Sequence, residues 1–265
     1  MNPAQAADAV AAVWNDTYGP ARATVPLSVL ATMAMRRRLK IPYRGPSAML
    51  TVGEFLAQQA DVWERADRCW PYLSHRWERF STWPTGPDAL HTRPHALDFA
   101  RAVKAMGGVA EHFRRLTDLE SVNEGVDFLG GVLARLRHPY STEIPDDPLT
   151  RLRIHPSDLA AVRGTDVFRV EEAGTGAALV LPLVKALYYD GTHPAKRTWH
   201  LRERDPLNAA VLAVNVAFWG PADRWRANTL VSTSWDPSWV SAERQAQAQA
   251  TAAIRRTGPA SPAPD

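Results

Sequence analysis

The residues Val167-Phe168-Arg169-Val170-Glu171-Glu172-Ala173-Gly174-Thr175-Gly176 form an apolar-rich run that ends in two acids and a glycine turn. An acidic residue beside a glycine-rich turn at a strand end is the arrangement by which α/β proteins hold a nucleoside cofactor. The glycines let the backbone approach the ligand, and the following helix aims its free N–H groups at it. About thirty residues on, one β-α-β crossover later, Trp199-His200-Leu201-Arg202-Glu203-Arg204-Asp205-Pro206 supplies a second short strand ending in acids. A carboxylate there, Glu203, can accept two hydrogen bonds from a ribose diol. A side-chain amide such as Asn228 can offer its carbonyl to an adenine amino group and its NH2 to a ring nitrogen.

These motifs must be positioned by the elements around them. The sequence of strand, glycine turn, helix, strand, helix, strand occupies the second half, with a third strand read at Trp225 to Leu230. The first half reads as helices over 3–16, Val25 to Leu39, Thr51 to about Asp67, a short helix after Pro71, His95 to Met106 and Asn123 to Arg137. Thr51-Val52-Gly53-Glu54 matches a capping box, and Arg36-Arg37-Arg38 suits a helix C-terminus. The proline-bearing stretch Ser81 to Pro94 reads as a loop. The expected organisation is a helical domain over 1–140, a linker over 141–150, a partial α/β domain over 151–245, and a terminal helix with a disordered tail over 246–265.

Taken in order, Gly174-Thr175-Gly176, Glu203 with Asp205-Pro206-Leu207 and Ala213-Val214-Asn215, and Ala227-Asn228-Thr229-Leu230 resemble the cofactor half of N6-adenine DNA methylases. The likeness is to the modification-subunit type of restriction–modification systems, in which a helical domain precedes the core. The resemblance implies an α+α/β chain, a helical domain followed by a partial Rossmann-like methyltransferase domain. It implies S-adenosylmethionine as cofactor, with Glu172, Gly174, Thr175, Gly176, Glu203 and Asn228 around it.

The chain departs from that pattern in three places. Glu171-Glu172-Ala173 stands where the family has Pro-Ala-Cys, which sets negative charge near the methionine carboxylate or presents a glutamate to its ammonium group. Pro182 falls in the helix after the turn, where an interior proline would cost about 3 kcal/mol. The family's fourth strand, bearing the Asn/Asp-Pro-Pro-aromatic tetrad that holds a flipped adenine, is not evident after Leu230. Asp236-Pro237-Ser238-Trp239 is the nearest substitute, with Asp236 and Trp239 its candidate catalytic residues.

The resulting expectation is a catalytically impaired relative that binds S-adenosylmethionine, DNA or a partner subunit. Its alternatives are an active methyltransferase completed by Asp236 or another chain, and a helical interaction module without cofactor. With later strands missing, the strand before Gly174 becomes an edge. A homodimer, a partner subunit, the helical half or the C-terminal helix should then cover it.

Composition bounds these readings. The 265 residues, 45% hydrophobic, suffice for a substantial core. One cysteine excludes an internal disulfide and a cysteine-rich zinc site, and the absence of a long apolar run points to a cytoplasmic chain without a membrane segment. Of 31 cationic residues 27 are arginine, a bias compatible with nucleic acid and equally with GC-rich coding. Trp63, Trp70 and Trp77 recur every seven residues and read as core. His91, His95 and His112 do not form a metal pattern.

Overall fold

The computed structural model describes residues 2–20, 22–42, 50–82, 87–106, 126–139, 141, 143–144, 147–149, 156–219, 228–236 and 238–257. The order is α1 (Pro3–Tyr18), α2 (Thr24–Arg38), α3 (Val52–Cys69), α4 (Ser74–Ser81), α5 (Pro87–Ala105), α6 (Phe128–Arg137), α7 (Pro156–Val162), β1 (Val167–Val170), α8 (Val180–Tyr189), β2 (Thr198–Arg202), α9 (Pro206–Trp219), β3 (Thr229–Ser232) and α10 (Trp239–Thr257). A single 3-10 turn, Pro194–Lys196, leads into β2. The chain is therefore mostly helical with a small parallel sheet, an α+α/β arrangement.

Local chemistry sets the helix starts. Asn2 and Gln5 close a capping box on α1, as do Thr51 and Glu54 on α3. α5 corrects the loop read over Ser81 to Pro94. Pro87 opens the helix at its first position, where the missing N–H costs nothing, and Pro94 is carried inside it. The buried Thr92, Ala96, Leu97 and Phe99 around Pro94 supply the packing that offsets its lost hydrogen bond. Pro182 likewise proves harmless, because α8 begins at Val180 and places the proline in the first turn.

α2 is the hub of the helical half. It touches α3, α4, α5, α6 and α9, and its side chains from Val25 to Arg36 are buried except Met33. Trp63, Trp70 and Trp77 lie in the core, with Trp70 edge-on to Trp77 at 6.3 Å. His95 stacks on Tyr18 at 4.2 Å, His112 lies outside the described residues, and no group of metal-ligating side chains occurs among the described residues.

The sheet has order β1-β2-β3 with both pairs parallel. The register aligns Phe168, Trp199 and Thr229 in one row and Arg169, His200 and Leu230 in the next. Because side chains alternate along a strand and aligned residues share a face, these rows belong to opposite faces. On the first face Phe168 stacks on Trp199 at 4.6 Å. On the second, α10 packs over β3, and its Trp239 meets the His200 ring edge-on at 5.9 Å. β1 is an edge strand. The third strand starts four residues later than the sequence suggested: Thr229-Leu230-Val231-Ser232 is the buried run, and Trp225 to Ala227 lie outside the described residues.

α9 joins the two halves. All its residues from Ala209 to Trp219 are buried, because it meets β3 as well as α2, α4 and α6. The buried apolar residues consequently form one continuous cluster from Ala6 to Val231. α10 adds a second tie: Glu243 binds His75 and Arg76 of α4, and Gln247 donates to the carbonyls of Tyr72 and Thr229. This helix begins at Trp239, before the expected residue 246, and 258–265 lie outside the described residues. No helix among the described residues is long and apolar enough to cross a membrane.

Candidate functional site

The glycine turn and the acid after β2 meet at the C-terminal edge of the sheet. Gly174 and Gly176 have φ of +57° and +99°, and Glu172 also takes a left-handed conformation at +54°. Gly176 has no room for a side chain, since a Cβ would come within 2.7 Å of the Trp219 ring and 2.8 Å of Leu212. Glycine is thus required there on two counts, φ and the close approach of α9.

Glu203 is buried and holds this turn. One carboxylate oxygen accepts the Gly174 N–H at 2.7 Å; the other accepts the Asp205 N–H at 2.9 Å and lies 3.4 Å from the Asn208 amide. The Ala173 N–H reaches the Arg202 carbonyl at 2.9 Å, so strand end and turn are laced together. Asp205 caps α9 by accepting from Leu207 and Asn208, and it pairs with Arg137 at 2.8 Å. These hydrogen bonds and the guanidinium overcome the effect of burial and hold the Asp205 carboxyl below its ordinary range.

Beneath the turn lies a buried polar cluster that the sequence did not reveal. Asp127, the N-cap of α6, accepts from the Gly130 N–H at 2.7 Å, from the Asn215 amide at 2.7 Å and from the Thr175 hydroxyl. The Asn215 amide also donates to the Thr175 carbonyl at 2.9 Å. Burial pushes the Asp127 carboxyl up to about 6, with the three hydrogen bonds limiting the rise. Gly130 belongs to this cluster by necessity, because a Cβ would lie 2.2 Å from the Asp127 carboxylate and 2.4 Å from the Thr175 hydroxyl. An Asp three residues before a paired glycine, ahead of an apolar run, is the N-cap signal that could have singled it out.

A cleft of about 320 Å³ opens between this turn and α6. Glu172, Gly174 and Thr175 form one wall, Arg137 and His138 the other, and Asn208 reaches its edge. Leu133, Ala134, Ala177 and Ala178 add apolar surface beside these polar groups.

Not every expected residue gathers here. Glu172, Gly174, Thr175, Gly176 and Glu203 come together. Asn228 does not: it precedes β3, on a level with Thr198 and Val167, at the opposite end of the parallel sheet from Glu203. Four residues of strand separate it from the C-terminal edge, about 13 Å. The reason is the shifted third strand, which turns a strand-end residue into a strand-start one; its carbonyl accepts the Trp199 N–H at 2.7 Å. The corner expected for Asn228 holds Ser232 and Trp235 instead, with the Arg202 and Arg204 guanidiniums 4.2 and 3.9 Å from the Trp235 ring centre.

Asp236 and Trp239 also part company. Asp236 is exposed and accepts from the Ser238 N–H and hydroxyl, both at 2.8 Å, which holds its carboxyl below the ordinary range at the start of α10. Trp239 is buried against His200. The Trp239 ring is thus packed between the start of its own helix and the sheet, while the Asp236 carboxylate is turned to the Ser238 backbone and hydroxyl.

No protein-family model, curated protein or solved structure matches the chain.

Proposed function

We propose that this chain is a DNA adenine methyltransferase-like protein without methyl transfer of its own, which binds S-adenosylmethionine beside the Gly174–Gly176 turn. The supporting observation is the 2.7 Å hydrogen bond that sets Glu203 against the turn, at the C-terminal edge of a parallel β1-β2-β3 sheet and next to the cleft. Ligands of α/β sheets bind outside the carboxyl ends of the strands.

The residues suit the nucleoside part of that cofactor. The Glu203 oxygen that accepts from Gly174 has lone-pair capacity left for a ribose hydroxyl, and the glycines admit the ligand close to the backbone. Glu172 is exposed on the cleft wall, placed for the ammonium group of the methionine end. The separation of Asp236 from Trp239 supports a binding role over methyl transfer. A second chain, a further copy or a partner subunit, is proposed to cover β1, where Val167 is 40% exposed.

Isothermal titration with S-adenosylmethionine tests the reading. Ala178 is an exposed residue of the cleft wall, so Ala178→Trp should fill the cleft and abolish binding while the fold is retained. Glu203→Gln should weaken binding about tenfold through loss of a charge-assisted hydrogen bond. A wild type that takes up no heat, or an Ala178→Trp variant that binds equally well, refutes the assignment.

A further inference from the structure

The face of the sheet that carries α10 holds cations which nothing in the cofactor site uses. Arg169 on β1 stands beside His200 on β2, as the register requires. Arg244 of α10 acts on the same ring: burial first, then the positive charges of Arg244 and Arg169, hold the His200 imidazole below its ordinary pKa. Both arginines are exposed, and among the described residues neither has an ion-pair or hydrogen-bond partner. His200 is 4% exposed, yet neither ring nitrogen has a hydrogen-bond partner among the described residues. The charges of Arg169 and Arg244 both reach the same imidazole, and like charges so placed repel each other. An anion placed between the two guanidiniums offsets that repulsion.

The cations continue along the strand. Arg202 lies on the same face as His200, two residues and about 6.6 Å further on. Arg204 follows, and both guanidiniums lie over Trp235, which fixes them in place. Glu171 offsets Arg202 in part through an ion pair. A row of guanidiniums, exposed at Arg169, Arg204 and Arg244 and half-buried at Arg202, fits a linear polyanion better than a single small anion. Arginine forks match phosphate oxygens two at a time.

We propose that this face seats the phosphodiester backbone of a nucleic-acid strand, with one phosphate between Arg169 and Arg244 above His200 and the next towards Arg202 and Arg204. The seat shares with the proposed function the class of its partner, and its Arg202–Arg204 end borders the Glu203 corner; the Arg169–Arg244 end that the test removes lies outside the residues lining the Gly174 cleft, and binding there needs no S-adenosylmethionine.

The test is fluorescence anisotropy of a labelled single-stranded oligonucleotide with the full chain and no cofactor, across about 50 to 200 mM salt. Arg169→Ala with Arg244→Ala should lower affinity at least tenfold and reduce the slope of log affinity against log salt by about 0.7, the share of the one phosphate seated between them. Arg65→Ala with Arg68→Ala removes equal charge from the exposed face of α3 and should leave binding unchanged. Circular dichroism confirms that both variants fold. Equal losses in the two double variants, or no binding by the wild type at low salt, overturn the proposal. So does competition by polyglutamate as effective as that of unlabelled oligonucleotide, which would mark an acidic protein as the occupant. Displacement by inorganic phosphate at matched ionic strength would overturn the strand reading in favour of free phosphate.

Discussion

Asp127→Asn should uncouple the stability of this protein from pH between about 4 and 6. The wild-type carboxyl is raised from its ordinary 3.8 to about 6, primarily by burial. A raised acid favours the folded state in its protonated form. That contribution is complete below 3.8, declines as the unfolded chain ionises first, and is gone above about 6. A shift of about two units corresponds to ~3 kcal/mol. Asparagine has the same shape: its carbonyl can accept from Gly130 and Asn215, and its amide can donate to the Thr175 hydroxyl, without a buried charge at any pH. Urea unfolding of both proteins from pH 4 to 7.5 should show the wild type losing ~3 kcal/mol relative to Asp127→Asn as pH rises. Carbon-13 labelling of the aspartate carboxyls gives an independent reading, one resonance titrating near 6. Parallel stability curves would refute the reasoning, and so would a gap that widens on acidification.

Other perturbations separate the parts of the structure. Glu243→Ala should destabilise by ~2–3 kcal/mol, because it removes charge-assisted hydrogen bonds to the half-buried Arg76, and hydrogen exchange should show α10 loosened. Burial alone would raise the Glu243 carboxyl, but hydrogen bonds from His75 and Arg76 hold it below 4.5. Its contribution is present above that pH, so the gap between wild type and variant should close on further acidification. Gly130→Ala should cost more than ~3 kcal/mol in urea unfolding, since its Cβ lands on Asp127 and Thr175 and overpacks the cluster. Gly53→Ala, in α3 with open space around it, should instead stabilise by up to ~1 kcal/mol.

The turn and its acid were legible in the sequence because both are local signals. Glycines with positive φ and a carboxylate at a strand tip announce themselves within a few residues, and the parallel β1-β2 pairing follows from their separation. Asn228 was misplaced because strand register depends on a distant partner: Thr229 is fixed by Gln247 of α10, and residue spacing carries no trace of that bond. Asp127 escaped for a related reason. Its partners Thr175 and Asn215 lie 48 and 88 residues away, and a buried acid looks in sequence like any solvated one. Pro94 misled because proline was taken as a breaker, whereas the packing of Ala96, Leu97 and Phe99 keeps the helix intact.

A helix as thoroughly enclosed as α9 dictates how the chain can be made. Its apolar surface has no solvent side to fall back on, so it holds its place only by docking between the helices and the sheet. Biosynthesis delivers α9, from Pro206, long after α2 and α4, which end at Arg38 and Ser81, so the surfaces of those helices that await it stay exposed meanwhile. Such a nascent chain is a natural client for chaperones. For the same reason a fragment ending near residue 150 should be sticky rather than folded, and the full chain should melt in one transition.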